Sequence, residues 1–274
     1  MSDILSHRTL RLRFAVLGQM AKCHPPALLN ALTKVFVDAK IPLAMGQEKK
    51  PRPIAQLAYP LPQGAESLEE WADITLALGI AQSMSELIDR LKPHCPHGLE
   101  LLGIEQIPLH ASPVSELCEA AHWLWLCPPE MLAKAKTKIE EFANSDNFQI
   151  SKVGKVDGQK IEKTIEVRHL VFDLAWEAGA LRFSTKIIQG QALNPQKIIA
   201  GIMGAMGQDT EQLGKFQRQS LSLGQDPKLN RHDKYATKLR NLYEDAVLLE
   251  SGPNVTISDD DEDGVLYLGG ADCD

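Results

Sequence analysis

"TLRLRFAVL" (9–17) alternates apolar and basic side chains with period two. Leu10, Leu12 and Phe14 fall on one face, Arg11 and Arg13 on the other, which predicts a strand with one buried face and the two arginines exposed. "PPALLNALTKVFVDAKI" (25–41) follows, with prolines suited to a first helical turn and Leu28, Leu29, Leu32, Val35 and Phe36 at helical spacing. "PIAQLAYPLP" (53–62) is a second strand with prolines at its ends, and "SLEEWADITLAL" (67–78) holds a third around Trp71 to Leu78. "SMSELIDRLKPH" (83–94) is a short helix, capped by Ser83 or Ser85 and stopped by Pro93, and "GLELLGIEQIPL" (98–109) is a fourth strand. Strand, helix, strand, strand, helix, strand is the order of the split βαβ, or ferredoxin-like, unit.

The order then repeats. "AAHWLWLC" (120–127) is strand-like, and "PPEMLAKAKTKIEEFANS" (128–145) is a helix with proline at its start. "IEKTIEVRHLVFDLAWEA" (161–178) is a strand with a break expected at Arg168-His169, and "ALRFSTKIIQ" (180–189) pairs with it as a hairpin. "NPQKIIAGIMGAM" (194–206) is a helix opened by an Asn cap and a proline, and "LRNLYEDAVLLES" (239–251) is the last predicted strand. The fold class expected is therefore α+β, with two tandem ferredoxin-like domains. The first spans 9–112 and the second 118–251. The second carries a polar insertion near 207–237, expected to be a long loop. The tail from 252 to 274 is expected to be disordered.

The chain has 274 residues and a net charge of −7, with 44% hydrophobic residues. That composition suits domains with real cores. The apolar runs are short and broken by charge, so no membrane-spanning helix is expected. "MSDILSHRTLRLRF" has no signal-peptide pattern, and the expected location is the cytoplasm. Five scattered cysteines point to free thiols rather than a disulfide framework, and close Cys-x2-Cys zinc pairs are absent. "HCPH" (94–97) has the composition of a metal half-site, but with no second pair nearby it is taken as a polar turn.

The acidic charge is unevenly placed. Asp259, Asp260, Asp261, Glu262, Asp263, Asp272 and Asp274 give the tail seven acidic groups and no Lys or Arg, which leaves residues 1–254 balanced at 29 of each sign. Residues 1–60 hold nine basic and three acidic groups, and residues 61–150 hold five and fourteen. Local sign governs the docking of a polyanion more than total charge does.

The basic end supplies the candidate anion- or RNA-binding residues: Arg11, Arg13, Lys22, His24, Lys49, Lys50 and Arg52. Lys22, Cys23 and His24 stand at the start of the first helix, where free backbone amides favour an anion. His24 is the one catalytic candidate, with helix capping as the plainer alternative. Lys49, Lys50 and Arg52 lie in "MGQEKKPRP" (45–53), where Pro51 and Pro53 stiffen the chain around Arg52. No Walker loop, G-x-S-x-G elbow or H-E-x-x-H pattern occurs, and no metal or cofactor is implied.

These residues also carry a resemblance. From "LRLRF" through "CHPPALLNALTKVFVDAKIPLAMGQEKKPRPIAQLAYPLPQGAESLEEWADITL", and again in "LRFSTKIIQGQALNPQKIIAGI" and "KLRNLYEDAV", the chain resembles the radical SAM-linked domain family of uncharacterised function. Members are encoded beside, or fused behind, a radical SAM protein. The family's Ser-His-x-Asp becomes Cys23, His24 and Pro26 here, so no carboxylate from this motif orients His24. Its Gly-Phe-Asn-Pro-Arg-Pro becomes Glu48-Lys49-Lys50 followed by the matching Pro51, Arg52 and Pro53. The Cys-x3-Cys-x2-Cys run of a radical enzyme's cluster is absent, so the resemblance implies that a partner performs any radical chemistry.

The function expected is a non-catalytic accessory or substrate-binding protein. It would work with a radical SAM enzyme and bind RNA or tRNA through its basic N-terminal face. The alternatives are an RNA-modifying or RNA-processing enzyme using His24 as acid or base, and a protein assembly factor using the acidic segment 61–150 and the tail.

Overall fold

In the computed structural model, β1 (Arg8–Val16) buries Leu10, Leu12, Phe14 and Val16 on one face, as its alternation requires. Described are residues 8–77, 83–108, 110–156, 159–188, 194–206 and 210–228, with backbone alone for 151–163, 210 and 211. α1 (Pro25–Asp38) packs Leu28, Leu32, Val35 and Phe36 into the core. The chain returns through β2 (Ala55–Leu57) and β3 (Glu66–Leu76). α2 (Met84–Leu91) follows, opened by a reciprocal capping box between Ser83 and Glu86, and β4 (Leu99–Ile107) closes this half.

After short α3 (Val114–Leu117), the second half runs β5 (Cys118–Leu126), α4 (Leu132–Ala143), β6 (Gln149–Val156) and β7 (Gln159–Glu166). It continues with β8 (Val171–Glu177), β9 (Ala180–Lys186), α5 (Pro195–Ile202) and β10 (Lys215–Leu223). A tight turn at Arg168–Leu170 breaks the predicted strand 161–178 in two: β7 pairs with β6 in a separate hairpin, and β8 joins the main sheet.

The main sheet has eight strands in the order β4-β1-β3-β10-β5-β9-β8, with β2 beside β3. Each half places its first strand (β1, β5) between its last (β4, β10) and β3 or β9, with β2 or β8 beyond. The halves meet where β10 runs parallel to the start of β3, with Gln217 opposite Glu66 and Arg218 opposite Ser67. One mixed sheet thus takes strands from both the 9–112 and the 118–228 stretches, within a compact unit that extends to Asn230.

Two expectations need correction. The polar stretch 207–237 contains β10, with Phe216, Arg218 and Leu221 buried. Its pattern was hidden because one inward residue is an arginine and its neighbours are Gln and Ser. Arg11 is not exposed, because the segment leading into α3 crosses that face of the sheet. The guanidinium of Arg11 donates to Asp73 at 2.9 and 3.0 Å and to the Ser112 carbonyl at 2.9 Å. The predicted strand 239–251 and the tail lie outside the described residues.

Candidate functional site

β1 and β5 end, and β3, β4 and β10 begin, at one end of the sheet. Sharp backbone turns close that end. Gly98 (φ +88°) precedes β4 and its carbonyl accepts from Leu17 N at 2.7 Å, and Gly214 (φ +89°) precedes β10. A Cβ on Gly98 would overlap the Leu17 carbonyl oxygen, and one on Gly214 the Leu126 carbonyl oxygen. The two halves therefore turn the same corner with the same device.

Between these corners lies a cleft of about 930 Å³, walled by Gly18–Lys22 and the 63–66 turn from the first half and by Leu126, Gln196 and 214–217 from the second. Its polar groups are mainly carboxamides. Gln63 Nε2 donates to the Lys22 carbonyl at 2.9 Å, and Gln196 Nε2 donates to the Gln63 carbonyl at 3.4 Å. Glu66 is engaged, accepting from Gly18 N at 3.0 Å and from Gln217 Nε2 at 3.4 Å. The ammonium groups of Lys22 and Lys215 have no carboxylate partner among the described residues, and His97 completes the lining.

The candidates read from sequence do not form one patch. Lys22 lies in the cleft. His24 caps α1, its Nδ1 accepting from Ala27 N at 3.1 Å, which is the plainer of its two expected roles. Lys49, Lys50 and Arg52 are exposed on a loop closed by Gly46 N donating to the Arg52 carbonyl at 2.8 Å. That loop follows Leu43, which bridges to Leu76, and Leu76 stands opposite Arg8 at the start of β1. β1 spans about 26 Å, so this loop and Lys22 occupy opposite ends of the sheet. Arg13 is half exposed and lies 3.7 Å from Glu69.

The remaining cleft residues were not legible as a site. His97 was noticed only as part of "HCPH", whose Cys95 Sγ donates to the Leu91 carbonyl at 3.8 Å in a turn after α2. Gln63 and Gln196 sit in "LPQG" and "NPQK", which carry turn and cap signals. Lys215 lay in the stretch expected to be a loop.

Behind the cleft, the seam between the halves is braced by a buried ion pair. Arg218 Nη1 donates to both Glu70 oxygens at 2.7 and 2.8 Å, and Arg218 also donates to the carbonyls of Tyr59 and Pro60. The guanidinium lies 4.7 Å from the Trp123 ring centroid and 5.1 Å from that of Tyr59. Burial pushes the Glu70 carboxyl up, and the Arg218 charge opposes that. Burial pushes the thiol of Cys118 up to about 11, so it stays protonated. Further along β5, His122 Nδ1 and Nε2 hydrogen-bond the hydroxyls of Ser184 (2.8 Å) and Ser222 (2.7 Å), tying β9 and β10 to the strand between them. Among the described residues, no group of three or more His, Cys, Asp or Glu is placed to hold a metal ion.

A family model matches residues 9–195, and its description is "Uncharacterized protein conserved in bacteria (DUF2344)". The chain belongs to this family. No curated protein matches it. Among solved structures it is similar to one described as "Crystal Structure of a Cbf5-Nop10-Gar1 Complex", at 12% identity and a TM-score of 0.32, over 80% of this chain. The match takes in 48% of that other chain, so this chain spans about half its length.

Proposed function

We propose that this chain is a non-catalytic, substrate-binding accessory protein that holds RNA or tRNA for a radical SAM partner. In this reading it is two ferredoxin-like units fused edge to edge. The observation that carries it is the cleft at their junction, where Lys22 and Lys215 present ammonium groups with no carboxylate partner among the described residues. Phosphates would take those positions, releasing counterions as they do. The radical SAM partner rests on the sequence resemblance. A reducing, cytoplasmic setting agrees with the free thiols of Cys23, Cys95, Cys118 and Cys127. Among the described residues, no helix is long and apolar enough to cross a membrane.

The enzyme reading gains nothing from His24, whose Nδ1 is occupied in capping α1. The loop of Lys49, Lys50 and Arg52 faces the other end of the sheet and would serve as a second, independent contact for a long RNA. The test is RNA binding by fluorescence anisotropy across a salt series. Lys22→Ala and Lys215→Ala should each weaken binding and reduce the salt slope by about 0.7 per lost phosphate contact. Absence of binding by the unaltered protein at low salt would sink the proposal.

A further inference from the structure

The chemistry of the cleft narrows what kind of RNA it takes, and this step rests on the RNA-binding reading above. A surface that only attracts a polyanion needs ammonium and guanidinium groups and little else. Here two lysines accompany four carboxamides, from Gln19, Gln63, Gln196 and Gln217, the last already engaged by Glu66 and Gln219. The carboxamide of Gln19 is exposed and has no partner among the described residues. Gln63 and Gln196 use their Nε2 groups to brace the walls, which fixes the two amide planes. Their Oε1 atoms accept from no described donor. Gln196 is only 8% exposed, yet it lines the cleft, so its position is set by packing and not by solvent. Fixed carboxamide oxygens are acceptors matched to base N–H groups, and the free amide of Gln19 offers both donor and acceptor.

Size and shape select further. At about 930 Å³ the cleft is at the upper end of the range for small-molecule pockets, room for a nucleotide or two. A duplex is too wide to enter such a cavity and uses up the Watson–Crick edges of its bases in pairing, whereas an unpaired nucleotide leaves them open. Leu126, 44% exposed at the rim, supplies apolar contact for a base face.

We infer that the cleft between the two halves receives an unpaired nucleotide of the RNA. Lys22 and Lys215 neutralise its flanking phosphates, and Gln19, Gln63 and Gln196 read the edge of its base. The site thus selects by base as well as by charge.

The test uses the full chain with labelled ten-nucleotide oligo-U, oligo-A and oligo-C and a duplex of the same length, by anisotropy at several salt concentrations. The unaltered protein should prefer single strands to duplex and discriminate among the three sequences. Gln19→Leu, at an exposed side chain that holds nothing, should lower affinity for the preferred sequence about 2- to 12-fold, the range of one hydrogen bond. It should leave the salt slope unchanged, and Gln196→Met should do the same if its fold, checked by circular dichroism, is intact. Lys22→Ala should instead weaken all sequences alike and flatten the slope. If the lysine variants act and the glutamine variants leave discrimination unchanged, or if duplex binds as tightly as single strand, base reading is overturned while RNA binding stands. If the unaltered protein binds none of the RNAs at low salt, the RNA reading falls, and this inference with it.

Discussion

Two arginines illustrate what a local pattern conveys about a residue. In "TLRLRFAVL" the period-two alternation correctly sends Leu10, Leu12 and Phe14 to the core. It also puts Arg11 on the opposite face, which is correct, but whether that face meets water depends on residues 62 and 101 positions away. Ser112 and Asp73 cover and neutralise it. Arg218 is the stronger case: fully buried, it looks from sequence like any polar residue in a Gln/Ser-rich loop. Its counter-charge is Glu70, 148 residues earlier, and the carbonyls of Tyr59 and Pro60 take further donors, so its burial depends on distant partners. Among the candidate site residues, Lys22 was legible from its position before a helix, because that signal is local. Lys215 was not, because its strand was not. Burial settles the chemistry of Cys118 in the same non-local way. With its thiol pushed up to about 11, alkylation by iodoacetamide at pH 8 should leave Cys118 unmodified in the folded protein and modify it after denaturation. Peptide mass mapping reads the outcome, and rapid labelling of the native protein would contradict it.

At the scale of elements, capping and turn chemistry were the most transferable signals. Ser83 caps α2 and Asn194 caps α5, both as their sequences suggest, because a cap is decided within four residues. In α2, backbone and hydroxyl hydrogen bonds from Ser83 hold the Glu86 carboxyl below its ordinary value near 4.5. The stabilisation from this capping box is therefore complete above the ordinary value and is lost as the pH falls toward and through the lowered one. Glu86→Gln, which keeps an acceptor but cannot titrate, should reduce the fall in stability below pH 4.5, measured by urea denaturation at stepped pH. The paired corners give a second prediction. Gly98 holds left-handed backbone against Leu17, the residue after β1, and Gly214 does so against Leu126, the last residue of β5. Gly98→Ala and Gly214→Ala should each destabilise by at least about 1–2 kcal/mol from backbone conformation alone, and more from overlap with the Leu17 or Leu126 carbonyl. Gly179 has φ +86° but open space around it, so Gly179→Ala should show the backbone effect without the overlap. Comparing the three by thermal denaturation separates the two contributions.

At the scale of the whole molecule, the sequence revealed two successive halves but not their union. Each half has its own strand–helix rhythm, and nothing in either rhythm says that β10 will add to the edge of β3. That junction has two paired positions in the strand register and a buried ion pair beneath them. Removing one charge strands the other in the core, so Arg218→Met and Glu70→Met should each lower stability by about 3–5 kcal/mol. Replacing both removes the desolvation of two charges as well as their attraction, so the Glu70→Met/Arg218→Met double variant should recover most of that loss. The cycle is best followed with two probes. Three of the four tryptophans, Trp123, Trp125 and Trp176, belong to the second half, so their fluorescence reports that half, while far-ultraviolet circular dichroism reports both. If the ion pair locks the halves into one cooperative unit, the two probes should give coincident transitions in the unaltered protein and separate ones in the single variants. Coincidence should return in the double variant, because an apolar pair of similar volume again packs the seam. Separate transitions in the unaltered protein would mean that the halves unfold independently and that the shared sheet does not couple them.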